Sequence, residues 1–441
     1  MPDRAPTRSR ALLYSAYSAG SIGAGAFFAF NNFVLPQLLK AAGAGDLLTG
    51  LLASTRSIEG AIVQPAVGAL SDRTRTPFGR RRPYILVGIP LSAALFLFAG
   101  TRHDVLGLTV GIILFSLCFN AAADPYVALL ADITSAGERG LLQGVSSAIQ
   151  LASQVAFLAL IAVVVGTGSV PAWSYALVAA VMVVTFGVTV FGVQEAVIPA
   201  GAIAEQHRLG LRAYIAGLLE QRQAMRYLLA IFTFMVGFSA VLPYLTLFIT
   251  VDIGETQQVA LALAAGTLLV TAVAAVIFGR LADRIGNKPV LVAGWTLLAL
   301  AAFGGTLIQH LPETMAVVLL AGIGNGAATA AGWPLLMSLI PAEKTGVFAG
   351  LKAAAESIAI PASVVLAAEV FLPRFSYRGV FVLLAAAILI ALFILVRHVR
   401  PPVAQRDLHL VLPLLDASVR KDDRPGLPGS PDRRPDLPRG P

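Results

Sequence analysis

Five ionisable residues stand out because the stretches around them are otherwise apolar: Arg56, Glu59, Asp124, Lys352 and Glu356. A charge at the centre of a bilayer costs about 2.5–3.5 kcal/mol on insertion scales, so such residues face a wet cavity or hold one another. Arg56 and Glu59 are spaced to pair on one helix face. In one reading Glu59 takes up a proton or cation and Arg56 sets its affinity by competing for the carboxylate. In the other the two form a neutral pair that fixes helix rotation. Asp124 has no basic residue within one helical turn and calls for a partner on another helix, such as Arg56. It suits a proton carrier or an acceptor of sugar hydroxyls, because an ionised carboxylate binds paired hydroxyls; a structural bond between helices is the alternative. Lys352 and Glu356 have the spacing of an internal ion pair, with a gating, coupling or purely structural role open to them. Asp132, at a helix end, reads as an interfacial residue facing the nearby loop.

Amides form the second group. Asn31, Asn32, Asn120, Gln143, Gln150, Gln154 and Asn325 lie in or near apolar runs, where they either hold a solute's hydroxyls or tie helices together. Trp333 and Tyr17 offer faces that stack on a sugar ring or pack in the core. The substrate-binding candidates are Asp124, Asn31, Asn120, Gln154, Asn325 and Trp333, and the ion-coupling candidates are Glu59, Arg56 and Asp124. His103, His207, His310, His398 and His409 all fall in loops or the tail, so no intramembrane metal site is expected. No cofactor is expected either. A phosphate-binding Gly-Lys-Ser/Thr loop is missing from the sequence, which argues against ATP as the driving force. The apolar runs hold no nucleophile and base set of a membrane enzyme, so the chain is read as a non-enzyme.

These side chains need positioning elements, and composition says what they are. Only 13% of the 441 residues are charged and 57% are hydrophobic, whereas a soluble domain carries about 25% charge, so much of the surface must face lipid. A span needs roughly 20 apolar residues, and such runs lie near 11–38, 47–70, 83–101, 105–131, 140–166, 172–194, 226–250, 257–281, 288–309, 313–340, 345–371 and 377–397. Each is expected to be a helix, since lipid leaves backbone groups no other partner. The net charge of +8 does not point to nucleic acid, because the cations are spread through alternate loops and the tail. Arg73, Arg80, Arg139, Arg208, Arg284 and Lys344 fall on one side, which the positive-inside rule places in the cytoplasm with both termini. The expected class is an all-α multi-pass protein of the plasma (inner) membrane with two similar six-helix bundles. Its parts are 1–195, a cytoplasmic linker 196–225 containing a surface helix, 226–400, and a disordered cytoplasmic tail 401–441. Cys118 is the single cysteine, so no internal disulfide forms.

A loop signature occurs twice, about 210 residues apart: Gly68-Ala69-Leu70-Ser71-Asp72-Arg73 running on to Gly79-Arg80-Arg81-Arg82, and Gly279-Arg280-Leu281-Ala282-Asp283-Arg284-Ile285-Gly286-Asn287-Lys288. Repetition at half the chain length is how many carriers are built. Gly68 and Gly279 would admit a neighbouring helix, and Asp72 and Asp283 sit where a carboxylate meets a helix N-terminus or a loop arginine. The gating candidates are therefore Gly68, Asp72, Arg73, Arg80, Asp283, Arg284, Lys352 and Glu356.

The doubled signature resembles that of the major facilitator superfamily. The stretch from Gly60 through Pro65 and Gly68 to Ser71-Asp72-Arg73, with Phe78-Gly79-Arg80-Arg81-Arg82-Pro83-Tyr84-Ile85 and Ala128-Leu129-Leu130-Ala131-Asp132, is similar to the sucrose/proton symporters of plants and their animal relatives. These belong with the glycoside–pentoside–hexuronide:cation symporters. Where the plant symporters carry Gly-Pro and then an arginine in the fourth span, this chain has Asp124-Pro125-Tyr126-Val127, which looks more like the melibiose-type branch, whose carboxylate there binds sugar. That branch has an arginine and two cation-binding aspartates in the second span; here Glu59 is one residue out of register and Gln64 takes the second place. The resemblance implies a secondary transporter of a sugar or glycoside coupled to protons by alternating access. A sodium-coupled carrier, a facilitator or exporter of another solute, and a non-transporting scaffold or sensor remain alternatives. Its partners would be the solute, the ion and membrane lipid.

Overall fold

Residues 7–54, 63, 66–67, 70–71, 74, 76–134, 138–165, 173–195, 221–341 and 345–400 are described by the computed structural model. The amino-terminal half begins with α1 (Thr7–Ala29), which passes through a π-type turn (Phe30–Val34) into α2 (Leu35–Ala41). It continues with α3 (Asp46–Ala53), α4 (Arg82–Gly100), α5 (Val105–Ile133), α6 (Arg139–Val165) and α7 (Trp173–Gly192). The carboxy-terminal half holds α8 (Arg222–Phe238), α9 (Val241–Leu247) with a π-type turn (Phe248–Asp252), α10 (Gln257–Ile285), α11 (Asn287–Leu307) and α12 (Leu311–Ser338). It closes with α13 (Thr345–Leu366), which runs through a π-type turn (Ala367–Phe371) into α14 (Leu372–Phe375), and α15 (Gly379–His398).

Among the described residues, 10 segments are long and apolar enough to cross a membrane. One of them, Gly350–His398, contains most of α13 together with α14 and α15. Half of the run expected at 47–70 falls outside the described residues, as do most of the expected linker (196–220) and the tail (401–441). Phe191, Phe303 and Phe393 are exposed on the helices around them, as lipid-facing residues should be.

Helix pairing repeats between the halves. In the first, α1 packs on α6 and α7, and α4 on α5 and α7; in the second, α8 packs on α13 and α15, and α11 on α12 and α15. The internal repeat seen in the loops therefore extends to the packing of the helices. The halves meet where α6 packs on α10 and where α3 packs on α13, and the residues up to Val399 form one unit. Lipid tails are as apolar as leucine, so close van der Waals fit rather than water exclusion holds such helices together. Small residues supply it: a β-carbon on Gly326 of α12 would stand 2.5 Å from Ala274 Cβ and 2.6 Å from the Thr271 carbonyl oxygen of α10. One on Gly25 of α1 would stand 2.4 Å from the Gln150 carbonyl oxygen of α6.

Two apolar cores result, and they are unequal. One runs through the amino-terminal half, where Phe27, Phe96, Phe115 and Phe119 interlock with ring centroids such as Phe27 and Phe119 4.5 Å apart. This core continues across into Tyr244, Phe248, Leu261, Tyr377 and Phe381 of the other half. The second core, around Tyr227, Trp295, Leu335 and Leu395, stays within the carboxy-terminal half. The halves thus share a core near the α2–α3 junction and have separate ones toward the end that carries the repeated loops. We call these the Asp46 end and the loop end.

Replacing Gly326 by leucine should overpack the α10–α12 contact at a cost of about 1–3 kcal/mol. The midpoint of thermal unfolding in detergent should fall accordingly, whereas alanine at Gly187, where a β-carbon meets open space, should leave it unchanged.

Candidate functional site

Asp124 lies on α5 directly before Pro125 and is half-buried with an interaction partner. Proline has no N–H to donate, so the carbonyl one turn earlier, at Ala121, loses its helical bond and adds a polar group beside the carboxylate. One turn before Asp124, Asn120 is buried and its amide donates to Ser116 Oγ at 3.1 Å. The counterpart helix α12 repeats the arrangement, with Trp333 directly before Pro334 and 43% exposed. Asn325 lies on the same helix and lines a mostly apolar cavity with Phe33, Phe238, Leu242 and Thr271.

Other amides separate into those engaged by the backbone and those that are not. The Asn31 side chain donates to the Ala53 carbonyl oxygen at 2.8 Å, which ties the turn after α1 to the end of α3. Gln154 on α6 is half-buried and makes no hydrogen bond among the described residues. Tyr17 packs as a core residue: its ring stacks on Tyr126 with centroids 4.8 Å apart, and the Tyr126 hydroxyl donates to the Tyr17 carbonyl oxygen at 3.0 Å. Lys352 and Glu356 do form an ion pair on α13, with Glu356 buried. Arg56, Glu59, Gly68, Asp72 and Arg73 lie outside the described residues.

At the loop end, Arg80 grips Asp132 with two nitrogens, at 3.1 Å and 2.5 Å, and Arg81 reaches the same carboxylate at 3.3 Å and Ser71 Oγ at 2.7 Å. Asp132 thus joins the loop after the second span to the end of α5. The sequence reading passed over the residue that completes this cluster. Glu195, just past α7, accepts the backbone N–H groups of Arg80, Arg81 and Arg82 at 2.7–3.1 Å. A carboxylate there answers the free donors and the partial positive charge at the start of α4. Gly79 makes room for it: its φ is +104°, and a β-carbon would sit 2.5 Å from the Glu195 carboxyl carbon. The only signal in the sequence was an acid close behind an apolar run.

The second copy of the signature behaves differently. Gly286 also adopts a positive φ, +94°, and Lys288 two residues on donates to the Val396 and Val399 carbonyl oxygens at 3.2 Å and 2.7 Å. This matches Arg82, whose Nε donates to the Val190 carbonyl oxygen at the end of α7. In each half a cation in the first turn of the helix after the repeated loop, Arg82 of α4 or Lys288 of α11, therefore reaches carbonyls at the C-terminus of α7 or α15. Asp283 and Arg284 are exposed and make no contact among the described residues, and a β-carbon on Gly279 would meet open space. In this conformation no neighbouring helix stands against Gly279 among the described residues. All these loop-end contacts stay within one half. By contrast, the Asp46 end carries hydrogen bonds between halves, from Tyr244 and Tyr377 to Asp46.

Comparison with known proteins sets this geometry in context. A segment of 101 residues is 34% identical to sucrose transport protein SUT1 of Oryza sativa subsp. japonica, covering 23% of this chain and 18% of that protein. Another, of 126 residues, is 35% identical to proton-associated sugar transporter A of Homo sapiens, covering 25% and 17%. The aligned segments thus span less than a fifth of these relatives' length. Among solved structures, the nucleoside transporter NupG superposes with a TM-score of 0.70 at 10% identity, over 87% of this chain and 99% of that one. The D-xylose-proton symporter does so with a TM-score of 0.61 at 16% identity, over 86% and 97%. At these identities the likeness is one of fold, that of the major facilitator transporters. Residues 16–371 match the family described as MFS/sugar transport protein, and with most of its length inside that match the chain belongs to this family.

Proposed function

We propose that this transporter moves a sugar or glycoside together with a proton, exposing one central site to each side of the membrane in turn. The observation that carries this reading is Asp124: a partnered carboxylate within a spanning helix, beside a proline that frees a carbonyl. Ionised, it accepts hydroxyls or a proton, and its charge changes when the proton binds. The names of relatives lean the same way, toward sucrose and proton-associated sugar transport.

The roles divide by half. Asp124 carries the proton and holds the solute, with Asn120 one turn away; Arg56 and Glu59 tune that carboxylate from the second span. From the other half, Asn325 and Trp333 contribute an amide and a ring to the solute. Trp333 is open enough to receive one, and Asn325 makes no hydrogen bond among the described residues. The Lys352–Glu356 pair sits on α13, which packs on α3 across the halves, and suits a gate that responds to water or solute reaching it.

The cation-rich loops support a cytoplasmic position for the loop end. The halves share a core at the Asp46 end, so on this reading the conformation is closed to the outside and open inward. Arg80, Asp132 and Glu195 then hold the inner end of the first half as one rigid piece during rocking, and Asp283 and Arg284, exposed here, join the halves when that end closes.

Purified protein in vesicles with an external pH dye tests the reading. Addition of the correct member of a panel of mono- and disaccharides should alkalinise the medium, and Asp124→Asn should abolish the signal while leaving the protein folded. A sodium-dependent response with no proton movement would reject the proton, and a response only to non-sugar solutes would reject the sugar. Asn325→Ala should raise the half-saturating solute concentration roughly tenfold, the effect of losing one hydrogen bond of about 1–1.5 kcal/mol; an unchanged value would remove Asn325 from the site.

A further inference from the structure

Ser376 is the one residue other than glycine with a positive φ among the described residues. Its angles, φ 53° and ψ −154°, fall in a region that side chains rarely occupy and that persists only where the surroundings over-determine it. Here Asp252, at the end of the π-type turn after α9, does so. Its Oδ1 accepts the Ser376 hydroxyl at 2.6 Å and its Oδ2 accepts the Arg378 N–H at 3.0 Å. Tyr377 and Arg378 lead from Ser376 to Gly379, where a β-carbon would stand 2.7 Å from the Phe371 carbonyl oxygen, so only glycine fits the close of the turn.

The residue between those two anchors is Tyr377. Its hydroxyl donates across the halves to Asp46 Oδ1 at 2.9 Å, an oxygen that also accepts Lys40 Nζ at 2.9 Å. Beside it the Tyr244 hydroxyl donates to the Asp46 carbonyl oxygen at 2.7 Å. Gly50, on α3, lets the surfaces come this close, since a β-carbon would stand 2.2 Å from the Tyr244 hydroxyl oxygen.

We infer that the Ser376–Arg378 turn is a strained latch, in which an unfavourable backbone at Ser376 aims Tyr377 at Asp46 and so keeps the Asp46 end shut. The bond to a charged acceptor favours the shut state. The strain opposes it, because the turn can relax once Tyr377 lets go. Two opposed contributions at one turn keep the open and shut states close in free energy, as an alternating carrier requires.

The test measures distances between spin labels on His103→Cys and Gln309→Cys, which lie in exposed loops of opposite halves at this end. It uses the full chain in lipid nanodiscs with Cys118→Ser as background. No solute is present, so the readout is independent of what is transported. Tyr377→Phe removes one hydroxyl and little else, and should raise the longer-distance population about tenfold or more, as expected for a lost hydrogen bond to a charged group. Adding Ser376→Gly to that variant should leave a smaller longer-distance population than adding Ser376→Ala, because both lose the hydroxyl bond to Asp252 and only glycine accepts the turn without strain. A distance distribution unchanged by Tyr377→Phe would overturn the latch. So would an open population no smaller with Ser376→Gly than with Ser376→Ala.

Discussion

A polar group carried into hydrocarbon finds its partner inside the protein or remains unsatisfied, and the arrangement of this transporter follows from where those partners lie. At the loop end they lie within one half: Arg80 and Arg81 with Asp132, Glu195 with three backbone donors, Lys288 with the end of α15. At the Asp46 end they lie between halves, on Asp46 itself. Contacts confined to a half make it rigid, and contacts between halves fix its partner's position. On the proposed rocking motion, the first contacts belong to pieces that move as units and the second to the joint that breaks.

Apolar packing tells the same story independently. The core of the first half continues into the second at the Asp46 end, while the second half keeps a separate core toward the loop end. Small residues at the helix crossings, such as Gly25 and Gly326, bring backbones close enough for this packing without help from water exclusion. Within that frame, a proline behind Asp124 and another behind Trp333 place a broken hydrogen-bond ladder at corresponding helices of the two halves. The chemistry proposed for the solute draws on those positions.

Features set by local spacing were legible in the sequence. The apolar runs follow from composition, and the Lys352–Glu356 pair follows from one helical turn. The repeat of the loop signature pointed to the repeat in helix pairing. Features set by tertiary approach were hidden. Asp46 and Tyr377 are far apart in the chain, and neither lies in a run where a polar residue is unusual. Ser376 carries no sign of its backbone angles, since glycine would be the residue expected there. Asn31 could by its residue type bind solute or tie helices; the free carbonyl at Ala53 that engages it exists only because α3 ends there. The second signature copy shares its glycine, leucine, aspartate and arginine with the first, and Asp283 and Arg284 make no hydrogen bond or ion pair among the described residues.

Coupling of solute to protons is read most plainly from the reversal point of solute flux in vesicles with imposed pH and solute gradients. If the two are coupled, a proton gradient alone holds a solute gradient of matching size at zero net flux, and inverting the first inverts the second. A flux that reverses only when the solute gradient itself reverses, whatever the pH difference, would contradict it.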